Sequence, residues 1–498
     1  MEQEFASFLE KYGEIGFVTK VTQPLIYANG LPGAKLGEIV MFENGAKGII
    51  SGLEEKFLEI LNLTSAAVKV GSRLARSGEK LKVPVGKDFL GKIIDPLGRP
   101  LGVTAMPGKP AASSGSSEII YRDIISAPVG ITGRKPVSRA LSTGVSVVDL
   151  LAPLGKGQRE VVLGDRKSGK TQFLIRALLS QVEEGAVGIY CIIGKSKGVI
   201  RQTYHALFEV KNYKRVGNGI IMIASSAEDP ASMIYTAPYT AMTMAEYYRD
   251  LGHDVVLVLD DMTTHAKVYR EISLLGRHFP GRNLYPGDIF SVHAGLLERA
   301  GSFVINGKEA AITCLPVAET AQGDLVNYIV TNLMSMTDGH LFFDYDLFLE
   351  GRRPALNPFI SVTRVGHQVQ TPLKRDIGIQ ALSLLNSASK LRFFAKFGAE
   401  LNESVRETLK KEEQIIAIFE QDADVIIQSD LQLILFGFFW SNLWKDKTQE
   451  EIKETIAKLR ESYDSDQTFR TQAKSAIDRS NSVKALVANL SLLNKKYV

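Results

Sequence analysis

Residues 164–171 are Gly164, Asp165, Arg166, Lys167, Ser168, Gly169, Lys170 and Thr171. Their spacing is G-x-x-x-x-G-K-[ST], with an apolar run (160–164) before it and a helical pattern (171–184) after it. That context turns a glycine-rich turn into a phosphate cradle. The glycines let backbone N–H groups curl around phosphate oxygens, Lys170 reaches the β- and γ-phosphates, and the Thr171 hydroxyl ligates Mg²⁺. The start of the following helix adds a partial positive charge. A second apolar run, 255–259, ends in Asp260 and Asp261. A carboxylate there can hold Mg²⁺ through its water shell. Asp260 is the choice for this role, and Asp261 reads equally well as a helix cap.

Three zones must position these groups. Residues 1–85 carry short alternating runs such as 37–42 and 57–63 between Gly, Asn and Pro signals, which predicts a small β-barrel. Residues 86–370 alternate apolar strand-like runs (160–164, 187–193, 253–260) with helical stretches. That alternation predicts a parallel sheet covered on both faces. A stretch of small residues, 107–117, reads as a loop. From 371 to 498 strands fade, and Leu382, Leu385, Lys390, Phe393 and Phe397 fall at helical spacing, as does the run 409–421. This end reads as a helical bundle.

The chain has 498 residues, 45% hydrophobic and 23% charged, with 59 basic and 55 acidic side chains giving a net charge of +4. This is globular composition, and it excludes a disordered or collagen-like chain. The small net charge implies no nucleic-acid footprint. Cys191 and Cys314 lie in apolar runs, which suits a reducing compartment and not a disulfide framework. No apolar run approaches the ~18 residues needed to span a bilayer. The densest, 431–444, is broken by Gln432, Gly437, Ser441 and Asn442. The first residues lack the basic start of a signal peptide. The expectation is a peripheral protein that meets a membrane only through partners.

The sequence resembles the alpha subunit of F-type ATP synthases over nearly its whole length. The blocks that carry the resemblance run in order: Thr143-Gly144, 148–160 leading into the phosphate loop, 237–239, 246–250, 280–282, 285–288, His293 with 296–300, 335–339 and 361–366. The resemblance implies a multidomain chain with a β-barrel crown, a RecA-like P-loop domain and a C-terminal helical domain. It further implies ATP or ADP with Mg²⁺ as ligands. As partners it implies beta-type catalytic subunits in an alternating three-plus-three ring around a gamma-type shaft, at the cytoplasmic face of the cell membrane.

Beta subunits of this family orient the attacking water with a glutamate after the second core strand. Lys195 stands there in this chain, where alpha subunits usually carry glutamine. A lysine beside bound phosphates is no carboxylate base, so the expectation is binding without turnover. The resemblance assigns the purine end to Phe348, Arg353, Pro354 and Gln421, with Ala423 replacing a second glutamine. Phe348 also reads as core. The resemblance makes Arg364 an arginine finger reaching the neighbouring beta-type site, worth roughly 10³–10⁵ in rate. Ser335 sits near the same interface, assisting phosphate binding or merely packing.

Several positions depart from the family. Lys167-Ser168 replaces Gln-Thr, Ala294-Gly295 replaces Ser-Arg, and the block 354–363 strays from the usual pattern. Only about ten residues, 2–12, precede the first barrel strand, which shortens the usual peripheral-stalk contact. These departures leave a second reading open. It is an alpha-like subunit of a paralogous F-type-like ATPase of wall-less bacteria, working with gliding or surface machinery in place of stalk proteins. A termination-factor-type RNA motor needs a basic, aromatic strand-binding surface that the first zone lacks. An export ATPase needs its own catalytic glutamate.

Overall fold

The structure is a computed structural model that describes residues 2–64, 66–101, 119–209, 216–396, 403–490 and 493. The small-residue stretch 107–117 and Phe397 lie outside the described residues. The chain forms two compact units, one of residues 1–135, 185–318 and 326–336, the other of residues 136–184, 319–325 and 337–498.

The first unit opens with the helix Glu2–Tyr12, whose Phe5 packs with Met41 and Ala75. Six antiparallel strands then close a barrel: Gly16–Thr22, Leu25–Asn29, Glu38–Phe42, Lys47–Leu53, Leu58–Asn62 and Arg73–Lys80. Around the barrel they follow the order first, second, fifth, fourth, third, sixth. Alternation sends Val18, Ile26, Val40, Phe42, Ile50, Ile60 and Leu74 into one interior cluster, and closure removes the sheet edges. The next strand, Lys82–Val85, leaves the barrel and pairs with Ile120–Asp123.

The same unit holds a run of parallel strands in the order Ile93–Ile94, Ile220–Ser226, Val187–Lys195, Val255–Asp260 and Lys308–Glu319. Every residue of Ile220–Ser226 and of Val255–Asp260 is buried, as near-continuous apolar composition requires of inner parallel strands. The register pairs Ile192 with Asp260, so Lys195 and the two aspartates share the carboxyl-end edge. That edge is where open α/β sheets bind ligands.

In the second unit Glu160–Gly164 runs parallel to Gly339–Phe343, and Val362–Thr363 pairs with the latter antiparallel. Among the described residues six helices follow: Pro372–Lys396, Glu403–Phe419, Ser429–Trp440, Gln449–Ser465, Gln467–Asp478 and Val483–Asn489. Residues 431–440 of the apolar run form a buried helix of this bundle, with Leu431, Ile434, Leu435 and Phe436 all excluded from solvent. Among the described residues no helix is long and apolar enough to cross a membrane.

Candidate nucleotide site

In the second unit the strand Glu160–Gly164 feeds the loop, and the helix Lys170–Glu183 leaves it. Gly164 has φ 145°, and a Cβ there would lie 2.3 Å from the Phe343 carbonyl oxygen, so no other residue fits. Gly169 caps the helix in the left-handed region at φ 95°. Lys167 also has positive φ, 65°, and its side chain points outward, exposed. Lys170 is folded inward, its Nζ donating to the carbonyls of Gly164 and Asp165 at 2.6 Å each. Asp165 is pinned by Thr320 and by the Gly323 N–H, 3.0 Å away, and Arg166 pairs with Glu319 at 3.0 Å. Ser168 is buried, and its Oγ has no hydrogen-bond partner among the described residues. A buried hydroxyl left over in a loop of this shape is a group awaiting an acceptor oxygen. The residues present therefore fit a polyphosphate.

Phe348 lies beside this loop, since a Cβ on Gly169 would meet its ring carbon at 4.0 Å. Arg353 lays its guanidinium over the Phe348 ring, 3.5 Å from the centroid, and donates to the Phe348 carbonyl at 2.7 Å. Pro354 follows directly. The Gln421 N–H donates to the Arg353 carbonyl at 2.7 Å, so these predicted purine-end residues do converge. The Gln421 carboxamide, however, is taken up internally. Its oxygen accepts from the Ser146 N–H at 2.7 Å and its nitrogen donates to the Gly144 carbonyl at 2.9 Å. Gln421 thus braces the segment before the loop. Ala423 is exposed.

Arg364 is exposed, and its backbone N–H is held by the Asp338 carbonyl at 3.0 Å. Asp338 in turn takes two bonds of 2.9 Å from Arg159, one from the backbone and one from the guanidinium. The preceding Thr363 accepts from Gln158 at 3.1 Å and donates to the Pro153 carbonyl at 2.9 Å. Gly366 closes the turn where a Cβ would sit 1.7 Å from that same carbonyl. Gln158 also donates to Glu160, which is wholly buried with its other oxygen unpartnered among the described residues. Burial, with Asp338 adding to it, pushes the Glu160 carboxyl well above its ordinary range, while Gln158 and Arg364 oppose the shift. Sequence reading missed Gln158, Glu160 and Asp338; the only signal was polar residues at the head of an apolar strand.

The first unit holds Lys195, Asp260 and Asp261 together. The Lys195 ammonium pairs with Asp261 Oδ2 and lies 3.6 Å from Asp260 Oδ1. Tyr190 donates to Asp260 Oδ2 at 3.0 Å, and Asp261 Oδ1 caps the helix Met262–Leu275 by accepting from the Thr264 N–H. Burial first, then the Asp260 charge, push the Tyr190 phenol well above its ordinary range, so it remains a donor. For Mg²⁺ the fit is divided. Thr171 is exposed in the first helical turn and suits it. Asp260 already faces an ammonium and a phenol and does not. Ser335, also in this unit, is exposed and bonds back to the Asn332 carbonyl at 2.7 Å.

A family model, "ATP synthase alpha/beta family, nucleotide-binding domain", matches residues 144–363. The chain is 37% identical over 425 residues to the ATP synthase subunit alpha of Sulfurovum sp., covering 85% of this chain and 81% of that one. It is 35% identical over 426 residues to the same subunit of Staphylococcus aureus, covering 85% and 82%. The chain belongs to the ATP synthase alpha/beta family. The alpha subunit of Acholeplasma laidlawii extends the match to 469 residues at 33% identity, covering 93% of this chain and 90% of that one. The barrel, α/β core and helical end are thus a family architecture, and the loop at 164–171 falls inside the matched nucleotide-binding region.

Proposed function

We propose that this chain is an alpha-type subunit of a rotary F-type ATPase that binds ATP or ADP without turning it over. Residues 164–171 hold the phosphates, Phe348, Arg353 and Pro354 form the purine end, and Gln421 supports Arg353 from behind. Three functional zones, 1–85, 86–370 and 371–498, divide the work among crown, nucleotide core and helical end. The observation that carries the reading is Lys195. Where hydrolysis needs a carboxylate to activate water, the chain has an ammonium ion-paired to Asp261.

In this reading Arg364 serves the neighbouring beta-type subunit, with Ser335 as a helper at the same interface. Its exposure and its backbone anchor at Asp338 support that role. A guanidinium carried on an anchored backbone can meet developing phosphoryl charge with two parallel hydrogen bonds. Partners are beta-type and gamma-type chains, and the assembly sits peripherally at the cytoplasmic face of the cell membrane. The relatives are ATP synthase subunits, and none of their names points to gliding or surface machinery.

A single-turnover assay on the purified full chain tests the reading. Bound ATP should be recovered intact over the time in which a catalytic ring turns over many times. Hydrolysis above the buffer rate that disappears in Lys170→Ala would overturn it.

A further inference from the structure

A cavity of about 490 Å³ opens within the second unit, between the segment 347–359 and the helices Pro372–Lys396 and Glu403–Phe419. Its walls are apolar: Val147, Leu347, Leu356, Leu385, Ile416 and Phe419. Arg353 and Pro354 border it, but among the described residues its lining holds neither Phe348 nor Gln421 nor any residue of 164–171. It is a space distinct from the phosphate loop. Most of the charges around it are already engaged. Arg392 pairs with Glu412 at 2.8 Å, Glu420 pairs with Lys453 at 2.8 Å, and Arg353 lies over the Phe348 ring. Arg352 is the exception. It is half-buried, and its guanidinium makes no hydrogen bond, ion pair or ring contact among the described residues. Burial pulls its pKa down, Glu412 and Glu350 oppose the shift from beyond ion-pair distance, Arg392 adds to it, and Glu420 again opposes it. Glu350 is exposed, where water and salt screen its charge. A cation withdrawn from water without a partner costs free energy. Its donors form a fork that matches two oxygens of one anionic group. Organic-ligand pockets hold roughly 300–1,000 Å³, with apolar walls and a few placed polar groups, and this cavity has that character.

We propose that this cavity binds an amphipathic organic anion, its single anionic head group held by the Arg352 guanidinium and its apolar body packed against Leu385, Ile416 and Phe419. The site stands apart from the nucleotide reading above and takes no nucleotide. A polyphosphate carries several charges, and these walls offer one unpaired cation with Glu412 and Glu420 close by. One negative charge on an apolar body is the match.

The test is equilibrium binding to the full chain of two fluorescent probes that share one apolar body. One is the anion 8-anilinonaphthalene-1-sulfonate, the other the neutral N-phenyl-1-naphthylamine. The natural chain should bind the sulfonate at a saturable site, about tenfold or more tightly than the amine. Arg352→Met should weaken the sulfonate by about tenfold or more and leave the amine nearly unchanged. Ser389→Trp fills the cavity from an exposed position of the helix Pro372–Lys396 and should weaken both probes. Excess Mg-ATP should displace neither. No saturable binding, a sulfonate affinity untouched by Arg352→Met, or equal loss of both probes in that variant overturns the proposal. So does one-for-one displacement of the sulfonate by Mg-ATP, because the cavity then belongs to the nucleotide site. Should Arg352→Met fail to fold by its melting curve, Ser389→Trp and the natural chain's preference for the sulfonate decide. The nucleotide reading stands or falls separately, on the Lys170-dependent turnover assay.

Discussion

In the proposed reading Arg364 separates binding from rate. Its guanidinium is exposed while its backbone is tied to Asp338 and its neighbour Thr363 to Gln158. Lysine keeps the charge and loses the two-pronged geometry. In the assembled ATPase, Arg364→Lys should lower hydrolysis by about a hundredfold or more, with nucleotide occupancy at residues 164–171 nearly unchanged. Steady-state turnover and bound-nucleotide counts on one preparation check both halves, and near-normal turnover in an intact ring removes the assignment. Glu160 supports the same turn. Because burial favours the neutral form of its carboxyl, Glu160→Gln should fold with near-natural stability. Glu160→Ala strands the Gln158 donor and opens a void, and should cost about 1–3 kcal/mol. Denaturant unfolding of the two variants gives the comparison; equal losses would mean that the carboxyl's hydrogen bond is irrelevant.

At the scale of elements, the helices Met262–Leu275 and Ile289–Leu297 meet through His265 and His293, both buried, with Nδ1 of the first 3.1 Å from Nε2 of the second. Burial pushes His265 down to about 4, and burial with the neighbouring ring pushes His293 well below its ordinary range. The unfolded chain then binds more protons than the folded one at pH values between about 4 and 6.5. Stability is therefore full above pH 6.5 and falls as pH drops toward 4. Replacing both rings, His265→Phe with His293→Leu, should flatten that slope in thermal unfolding across this range; an unchanged slope would place the acid sensitivity elsewhere. How much was legible beforehand differs by element for a physical reason. The phosphate loop is local, so eight consecutive residues state its strand, its turn and its helix. The barrel and the helical end follow from periodicity. The bracing of the loop does not, because Gln421 meets Gly144 across 277 positions and Gln432 meets Asp149 across 283. Lys195 was legible as a missing acid, but its carboxylate partners lie 65 and 66 positions away, on a neighbouring strand end. Only the ladder register shows that they converge.

At the scale of the whole molecule, the family match spans the nucleotide core, and the relatives extend the likeness over most of the chain. In the proposed reading such a chain contributes a held nucleotide and a borrowed arginine to a motor, two functions that a single measurement can distinguish from catalysis. ATP labelled on its γ-phosphate is loaded into the assembled complex, unbound label is removed, and unlabelled ATP is then supplied through many rounds of hydrolysis. The account predicts that label bound through residues 164–171 stays on the complex as intact ATP long after unlabelled product has accumulated, and that Lys170→Ala abolishes this retained fraction. Label that leaves as phosphate at the rate of overall turnover would contradict it.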